Sequence, residues 1–405
     1  MIRHLVLLGA GPGHQRFLLS LQKKRHNDIA ITLITRQELH IETAQLLRAI
    51  AGQLPLANCG ELIEPLLHSA NVNWLDQNVQ AIDASAKVLL LDDARELRFD
   101  WLSIDLEPAQ NRDLADRQLP GARANGMFVR PREAFCKLWP RVAELAATQP
   151  LRVAVVCSSA ALERSSGSGN ATTNTDVTAP MPLDGDAALS PSPAPTPATS
   201  LTPASPALDW QHEKFAIELA FAVRQAFTAS AVTLITGGQP IAAQASPALR
   251  TCIQSALRKH RITVLVDTAS AIQAGEIVLQ SGAQLACDVP LLALQAPAHP
   301  LLAQSGLTLN GTGHVDVDGG QRSRSHAYVF ASEGVDAVDA RSRILAASLQ
   351  AVIDGKQPAM FRQPAAAQSP ARFQTLRADN HQAIVTWRGW ALSTWRFGSA
   401  MLRGI

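Results

Sequence analysis

The 405-residue sequence has almost no surplus of charge of either sign, with 36 Lys and Arg against 34 Asp and Glu and a formal charge of +2. That balance gives no electrostatic footing for a nucleic-acid surface or a strongly acidic partner, so no nucleic acid is expected. Cysteine is sparse and dispersed. Cys59, Cys136, Cys157, Cys252 and Cys287 form neither a C-x-x-C pair nor a pair at any other short spacing. This argues against a zinc site or a dithiol redox centre and predicts five small buried residues in a reduced, cytoplasmic setting. Long apolar runs are missing too, none approaching the ~20 residues of a spanning helix. Met1 to Leu8 enters a strand pattern directly, which predicts no cleaved signal. His40, His68, His260 and His314 have no partners at metal spacing and read as solvated or satisfied histidines; no metal is expected.

What is present is 47% hydrophobic residues in a chain long enough for two or three domains. Leu5 to Leu8 is an apolar run ending in Gly9-Ala10-Gly11-Pro12-Gly13, after which Phe17, Leu18 and Leu21 recur at helical spacing. The β-branched run Ile29 to Ile34 completes a βαβ unit of the length that parallel pairing needs. A second cycle opens with Arg152-Val153-Ala154-Val155-Val156. No glycine turn follows it. The chain instead reads Cys157-Ser158-Ser159-Ala160-Ala161 and enters a Ser/Thr/Pro/Ala-rich stretch, expected to be a disordered insertion over 164–207. Beyond it, Phe215 to Phe227 is an amphipathic helix, Val232 to Ile235 a strand, Gly237-Gly238 a turn, Pro247 to His260 a helix and Ile262 to Val266 a strand. Val329 to Ala331 is a short buried strand, and Arg343 to Ile353 a helix closed by Gly355.

A glycine turn between strand and helix presents unpaired amides and a positive helix end to a pyrophosphate. Gly9 and Gly11 meet that need, whereas His14 stands near the place of the third glycine of G-x-G-x-x-G, so the signature is two-thirds present and a tight structural turn remains the alternative. The acid that would grip an adenosine ribose after the second strand is absent. Thr35 and Arg36 are the candidates there, for a ribose hydroxyl and for the adenine or a phosphate, with a solvated loop as the competing reading. Arg130 is the other basic residue associated with a bound nucleotide.

The segments 5–14, 151–156, 232–238 and 328–331, taken in order, resemble type II NADH dehydrogenase-like pyridine nucleotide-disulfide oxidoreductases. The similarity is to the bacterial branch sometimes fused to selenide, water dikinase. Asp100-Trp101-Leu102-Ser103-Ile104-Asp105, Phe128-Val129-Arg130-Pro131 and Ala383 to Gly389 carry the same likeness, as does His14. The resemblance implies an α/β fold of two Rossmann-like dinucleotide-binding domains, the second inserted into the first. It divides the chain into an FAD-binding part at 1–149, an NAD(P)-binding-like part at 150–295, the rest of the FAD domain at 296–356 and a Trp/Arg-rich end at 357–405. It implies FAD on Gly9, Ala10, Gly11, Gly13 and His14, NAD(P)H over the second domain, and hydride transfer to the flavin toward a small-molecule acceptor.

Several departures bear on activity. The second glycine turn is lost, so ordinary NAD(P)H binding is doubtful. The late Gly-Asp of the family reads Glu333-Gly334-Val335-Asp336, where Asp336 shifted into the role, substitution by Glu333 or loss of the contact are open. Ala293-Leu294-Gln295-Ala296 replaces an Ala-Thr-Gly segment, and Glu42-Thr43-Ala44-Gln45 stands on the flavin side. The expectation is an FAD-dependent NAD(P)H:acceptor oxidoreductase impaired in nicotinamide binding, the alternative a non-catalytic nucleotide-binding or interaction module. No catalytic residue is identified. Trp387, Trp390 and Trp395, among Arg388, Arg396 and Arg403, suit either a cap packed on the body or a peripheral contact with the inner face of a membrane.

Overall fold

The computed structural model describes residues 2–22, 28–106, 112–158, 210–295, 298–332, 338–356, 373–377, 382–387 and 390–395. The expected insertion at 164–207, the segment 333–337 with Asp336, and Arg388, Arg396 and Arg403 lie outside the described residues.

The chain runs β1 (Arg3–Leu8), α1 (Pro12–Leu21), β2 (Ile29–Ile34), β3 (Leu39–His40), α2 (Thr43–Ile50), β4 (Glu61–Leu62), α3 (Ile63–Ala70) and β5 (Asn73–Leu75). A meander of β6 (Val79–Asp83), β7 (Val88–Leu91) and β8 (Glu96–Arg98) leads into β9 (Trp101–Ile104), α4 (Arg112–Gln118) and α5 (Ala122–Asn125). Then come β10 (Met127–Phe128), α6 (Arg132–Thr148), β11 (Arg152–Ser158), α7 (Trp210–Ala226), β12 (Ala231–Ile235), α8 (Pro247–Lys259) and β13 (Ile262–Leu265). A second meander, β14 (Ala269–Gln273), β15 (Glu276–Leu279) and β16 (Gln284–Ala286), precedes β17 (Val289–Leu294), β18 (Val329–Ala331) and α9 (Val338–Ile353). The chain closes with β19 (Phe373–Arg377), β20 (Gln382–Trp387) and β21 (Trp390–Trp395).

Two five-stranded sheets result, in the orders β18-β9-β1-β2-β5 and β10-β17-β11-β12-β13, and every pairing within them is parallel. Parallel strands joined by helical crossovers are covered on both faces, which is why they read as unbroken apolar runs. In β1, Leu5 and Leu7 face a core built with α1, α3 and α9 through Phe17, Leu67 and Leu345, while Val6 and Leu8 face the first meander through Ile82 and Leu89. The second sheet repeats the scheme. Val153 and Val155 meet α7 and α8, while Ala154 and Val156 meet the second meander at Ile272 and Ile277.

Strands β19, β20 and β21 form an antiparallel meander against α7 and α8. Leu376 and Ile384 are buried in the core of the second half, and the Arg377 amide donates to the Glu218 carboxylate at 3.1 Å. Among the described residues no helix is long and apolar enough to cross a membrane.

Candidate functional site

In an open parallel sheet, ligands enter where neighbouring crossovers diverge, beyond the carboxyl ends of the strands. In the first sheet β1 is that strand, flanked by β2 and β9. Three segments meet there: the Gly9–Gly13 turn, Thr35-Arg36 after β2, and Asp105 after β9.

Gly9 has φ +89°, and a side chain there would meet the Asp105 carbonyl oxygen at 2.5 Å, so only glycine fits. The Gly11 amide donates to that carbonyl at 2.9 Å. Pro12 opens α1, where its missing N–H is no loss. The next two amides point at one atom: Oδ2 of Asp105 accepts from Gly13 at 2.7 Å and from His14 at 3.1 Å. Asp105 is 1% exposed. Its carboxylate therefore sits at the positive end of α1, on the amides that a phosphate would use. The bare Cα of Gly11 makes room for it, since a Cβ would lie 2.3 Å from the Asp105 Cγ. The sequence pattern offers ligand approach or a tight structural turn as the reason for Gly11; in the fold it admits this internal anion.

His14, in place of a glycine, has a structural job of its own. The ring is fully buried, with Nδ1 2.6 Å from the Gly9 carbonyl oxygen and Nε2 2.7 Å from the Ser103 hydroxyl. A carbonyl only accepts, so Nδ1 carries the hydrogen and, in the neutral ring, Nε2 accepts from Ser103. Burial holds its pKa below the usual histidine value, outweighing the nearby Asp105 charge. The ring ties the turn to β9.

His40, expected from the sequence to be solvated or satisfied, is buried and only half satisfied. Its Nδ1 lies 3.1 Å from the carbonyl oxygen of Ala10, which again makes Nδ1 the donor, and Nε2 is a buried atom with no hydrogen-bond partner among the described residues. The side chain is 8% exposed and its pKa is lowered, chiefly by burial. It borders a cavity of about 420 Å³ between α1 and α3, lined also by Ala10, Leu18, Ile63 and Leu66 and spanned by a bond from Gln15 to Glu61 at 3.2 Å. No spacing pattern in the sequence marks His40; pairing of β3 with β4 brings it beneath the glycine turn.

Thr35 is buried, and its hydroxyl oxygen accepts from the Gln37 amide at 3.1 Å. Arg36 is exposed and lies 3.8 Å from Asp76 at the end of β5. Thr35 and Arg36 directly follow the carboxyl end of β2. Arg130, by contrast, is buried in the second half with its guanidinium 5.9 Å from the Phe215 ring centre.

The second sheet repeats the crevice at β11, between β12 and β17. Cys157 is 1% exposed, and burial pushes its thiol well above the ordinary range. Glu213, in the first turn of α7, is 7% exposed and accepts from the Ala242 amide at 2.6 Å. Burial raises its pKa against the opposing pull of that bond and of Arg250. A buried acid therefore stands near the N-terminal end of the crossover helix in both halves.

No protein-family model matches the sequence, and none of the curated proteins matches it. Solved structures do. The sulfide:quinone oxidoreductase from the hyperthermophilic bacterium Aquifex aeolicus superposes with TM-score 0.63 at 13% identity, over 97% of this chain and 87% of that one. NDH2 from Plasmodium falciparum in complex with NADH gives 0.64 at 12%, over 100% and 94%. Reduced Bacillus anthracis CoADR-RHD gives 0.65 at 13% and covers 100% of this chain, which spans 63% of its length. The chain shares the fold of these structures, two parallel-sheet Rossmann-like halves. In this fold the turn after β1 and the turn after β11 are equivalent positions in the two halves. One is a glycine cradle holding Asp105; the other lies outside the described residues, because Cys157 and Ser158, expected in that turn, are the last residues of β11, paired with Ala293 and Leu294.

Proposed function

We propose that the chain is an FAD-dependent NAD(P)H:acceptor oxidoreductase in which the nicotinamide nucleotide is held weakly. The observation that carries this reading is the cradle at Gly13 and His14, whose amides already bind an anionic oxygen, that of Asp105. The carboxylate is a stand-in for a phosphate oxygen, and its two bonds indicate that the donor set suits one. Gly13 and His14 would take the pyrophosphate once Asp105 swings away. Nε2 of His40, an acceptor lacking a donor among the described residues, suits a hydroxyl of the same ligand. The flavin, when bound, supplies the hydride and electron chemistry, and the protein supplies position and surroundings.

In the second half the chain works against the usual nucleotide. In the sequence Ser159-Ala160-Ala161 follow β11 in place of the glycines that let a backbone approach phosphate, and Glu213 adds a buried acid near the start of α7. Weak binding follows. The Asp105 contact also favours a second reading, a non-catalytic nucleotide-binding or interaction module, because the protein satisfies its own cradle.

A visible spectrum of the purified protein, followed by anaerobic stopped-flow mixing with NADH or NADPH, separates these. Bound flavin that dithionite reduces readily but nicotinamides reduce slowly is the expected result. Rapid saturable bleaching at micromolar NADH would overturn the weak-binding part. Failure of both the wild type and Asp105→Ala to take up FAD would overturn the flavoprotein reading and leave the module.

A further inference from the structure

Cysteine spacing in the sequence argues against a dithiol centre, yet folding brings two of the five cysteines together across 77 positions. Sγ of Cys59 lies 3.4 Å from Sγ of Cys136, and neither is in a disulfide. Cys59 follows a short helical turn, Leu56–Asn58, that links α2 to β4, while Cys136 is in the second turn of α6. Arg132, one turn earlier on α6, donates to the Ile41 carbonyl and the Thr43 hydroxyl, both at 2.8 Å. The Arg132 and Cys136 stripe of α6 thus faces the segment running from β3 through α2 to β4.

We infer that Cys59 and Cys136 form a reversible dithiol–disulfide couple that reacts with low-molecular-weight disulfides such as oxidised glutathione. The two positions divide the labour. Cys136 is half-buried and within reach of a small reagent; Cys59, 3% exposed, sits behind it. The Cys136 thiolate attacks one sulfur of the small disulfide, making a mixed disulfide and releasing one thiolate. Cys59, as thiolate, then attacks Sγ of Cys136, expelling the second thiolate and closing the Cys59–Cys136 bond. Two electrons pass from the cysteine pair to the small disulfide, which leaves as two thiols carrying the two protons. A closure of little more than ~1 Å between the sulfurs brings them to the ~2 Å of a disulfide.

Two of the other three thiols do not compete, while Cys252 is half-buried like Cys136. Cys157 is sealed in the core, and burial pushes the Cys287 thiol up to about 11. Oxidation would staple the Leu56–Asn58 turn to α6. Because the neighbouring β4 pairs with Leu39 and His40, the staple fixes the segment that carries His40.

The test uses the full-length protein in glutathione buffers of graded potential, quenched in acid, alkylated and mapped by mass spectrometry without reduction. The expected product is a peptide pair joined through Cys59 and Cys136, released by dithiothreitol, with Cys157 and Cys287 alkylated. Cys59→Ser should stop the reaction halfway, leaving a stable glutathione adduct on Cys136. Cys136→Ser should leave Cys59 unmodified. A wild-type protein that accumulates the Cys136 adduct without the joined pair, or whose Cys59 and Cys136 both stay alkylatable across the whole range, would overturn the inference.

Discussion

Asp105 decides how the glycine turn behaves. Its carboxylate accepts two amide bonds directly at the end of α1, and hydrogen bonds to a charged group contribute about 1.5–3 kcal/mol each. Asp105→Ala should cost about 2–4 kcal/mol of stability, because water can partly replace the lost acceptor. It should also free the cradle and tighten FAD at least tenfold, about 1.4 kcal/mol. Chemical denaturation and a flavin fluorescence titration measure the two effects. Asp105→Asn keeps the shape and one acceptor, so its stability should fall between the two proteins. FAD affinity that is unchanged or weaker in Asp105→Ala would show that Asp105 supports the site rather than competing for it.

Glu213 gives a residue-scale test by pH. Its folded pKa is raised above the ordinary 4.5, chiefly by burial. The folded state therefore holds the proton more tightly, and the stability this contributes is complete below about pH 4.5 and lost as pH rises through the folded value. His14 and His40 act in the opposite direction. Their pKa values are lowered from 6.5, so their contribution is present above that pH and lost as pH falls through the folded values. Glu213→Gln should remove only the first effect. The variant should match the wild type near pH ~4 and exceed it in melting temperature at pH ~8. A parallel pair of melting curves across that range would refute the assignment.

At the level of elements, the C-terminal meander is where the tryptophan-rich composition is least informative. Tryptophan and arginine side by side suit a membrane face as well as a packed cap, and only the fold distinguishes a helix from three antiparallel strands. Leu376 and Ile384 enter the core of the second half, at 2% and 1% exposure, and each such burial contributes about 1.5–3 kcal/mol. A chain ending at Lys356 should lose about 3–6 kcal/mol on that account and bind a hydrophobic dye through the uncovered faces of α7 and α8. Calorimetry that finds the truncated chain as stable as the whole would show that the meander is an appendage. The crossover units, by contrast, are readable from sequence to within a few residues. No choice between an inner and an outer face arises in their central strands, because a strand buried on both faces must be apolar at every position, as Leu5 to Leu8 and Val153 to Val156 are.

Over the whole molecule, what could be read in advance was what lies close in sequence: strand, glycine turn, helix and their repetition. What could not be read was contact between distant positions. Asp105 lies 92 residues from Gly13 and Cys136 lies 77 from Cys59, and neither pair has a periodic signature. His14 shows the same limit in miniature. In sequence it is a missing glycine, while in the fold it bridges the Gly9 carbonyl and Ser103.

The internal anion at α1 also bears on how the protein lives without a ligand. A helix start that is stripped of its phosphate leaves amides facing nothing, and a fold built around such a gap depends on its ligand for completion. Here Asp105 closes the gap. On the proposed function, dinucleotide binding would be an exchange of one anion for another, so the ligand would add only the difference between them to the stability of the chain. Colourless protein would then be fully folded protein, and cofactor content would follow the surrounding dinucleotide concentration rather than the history of folding.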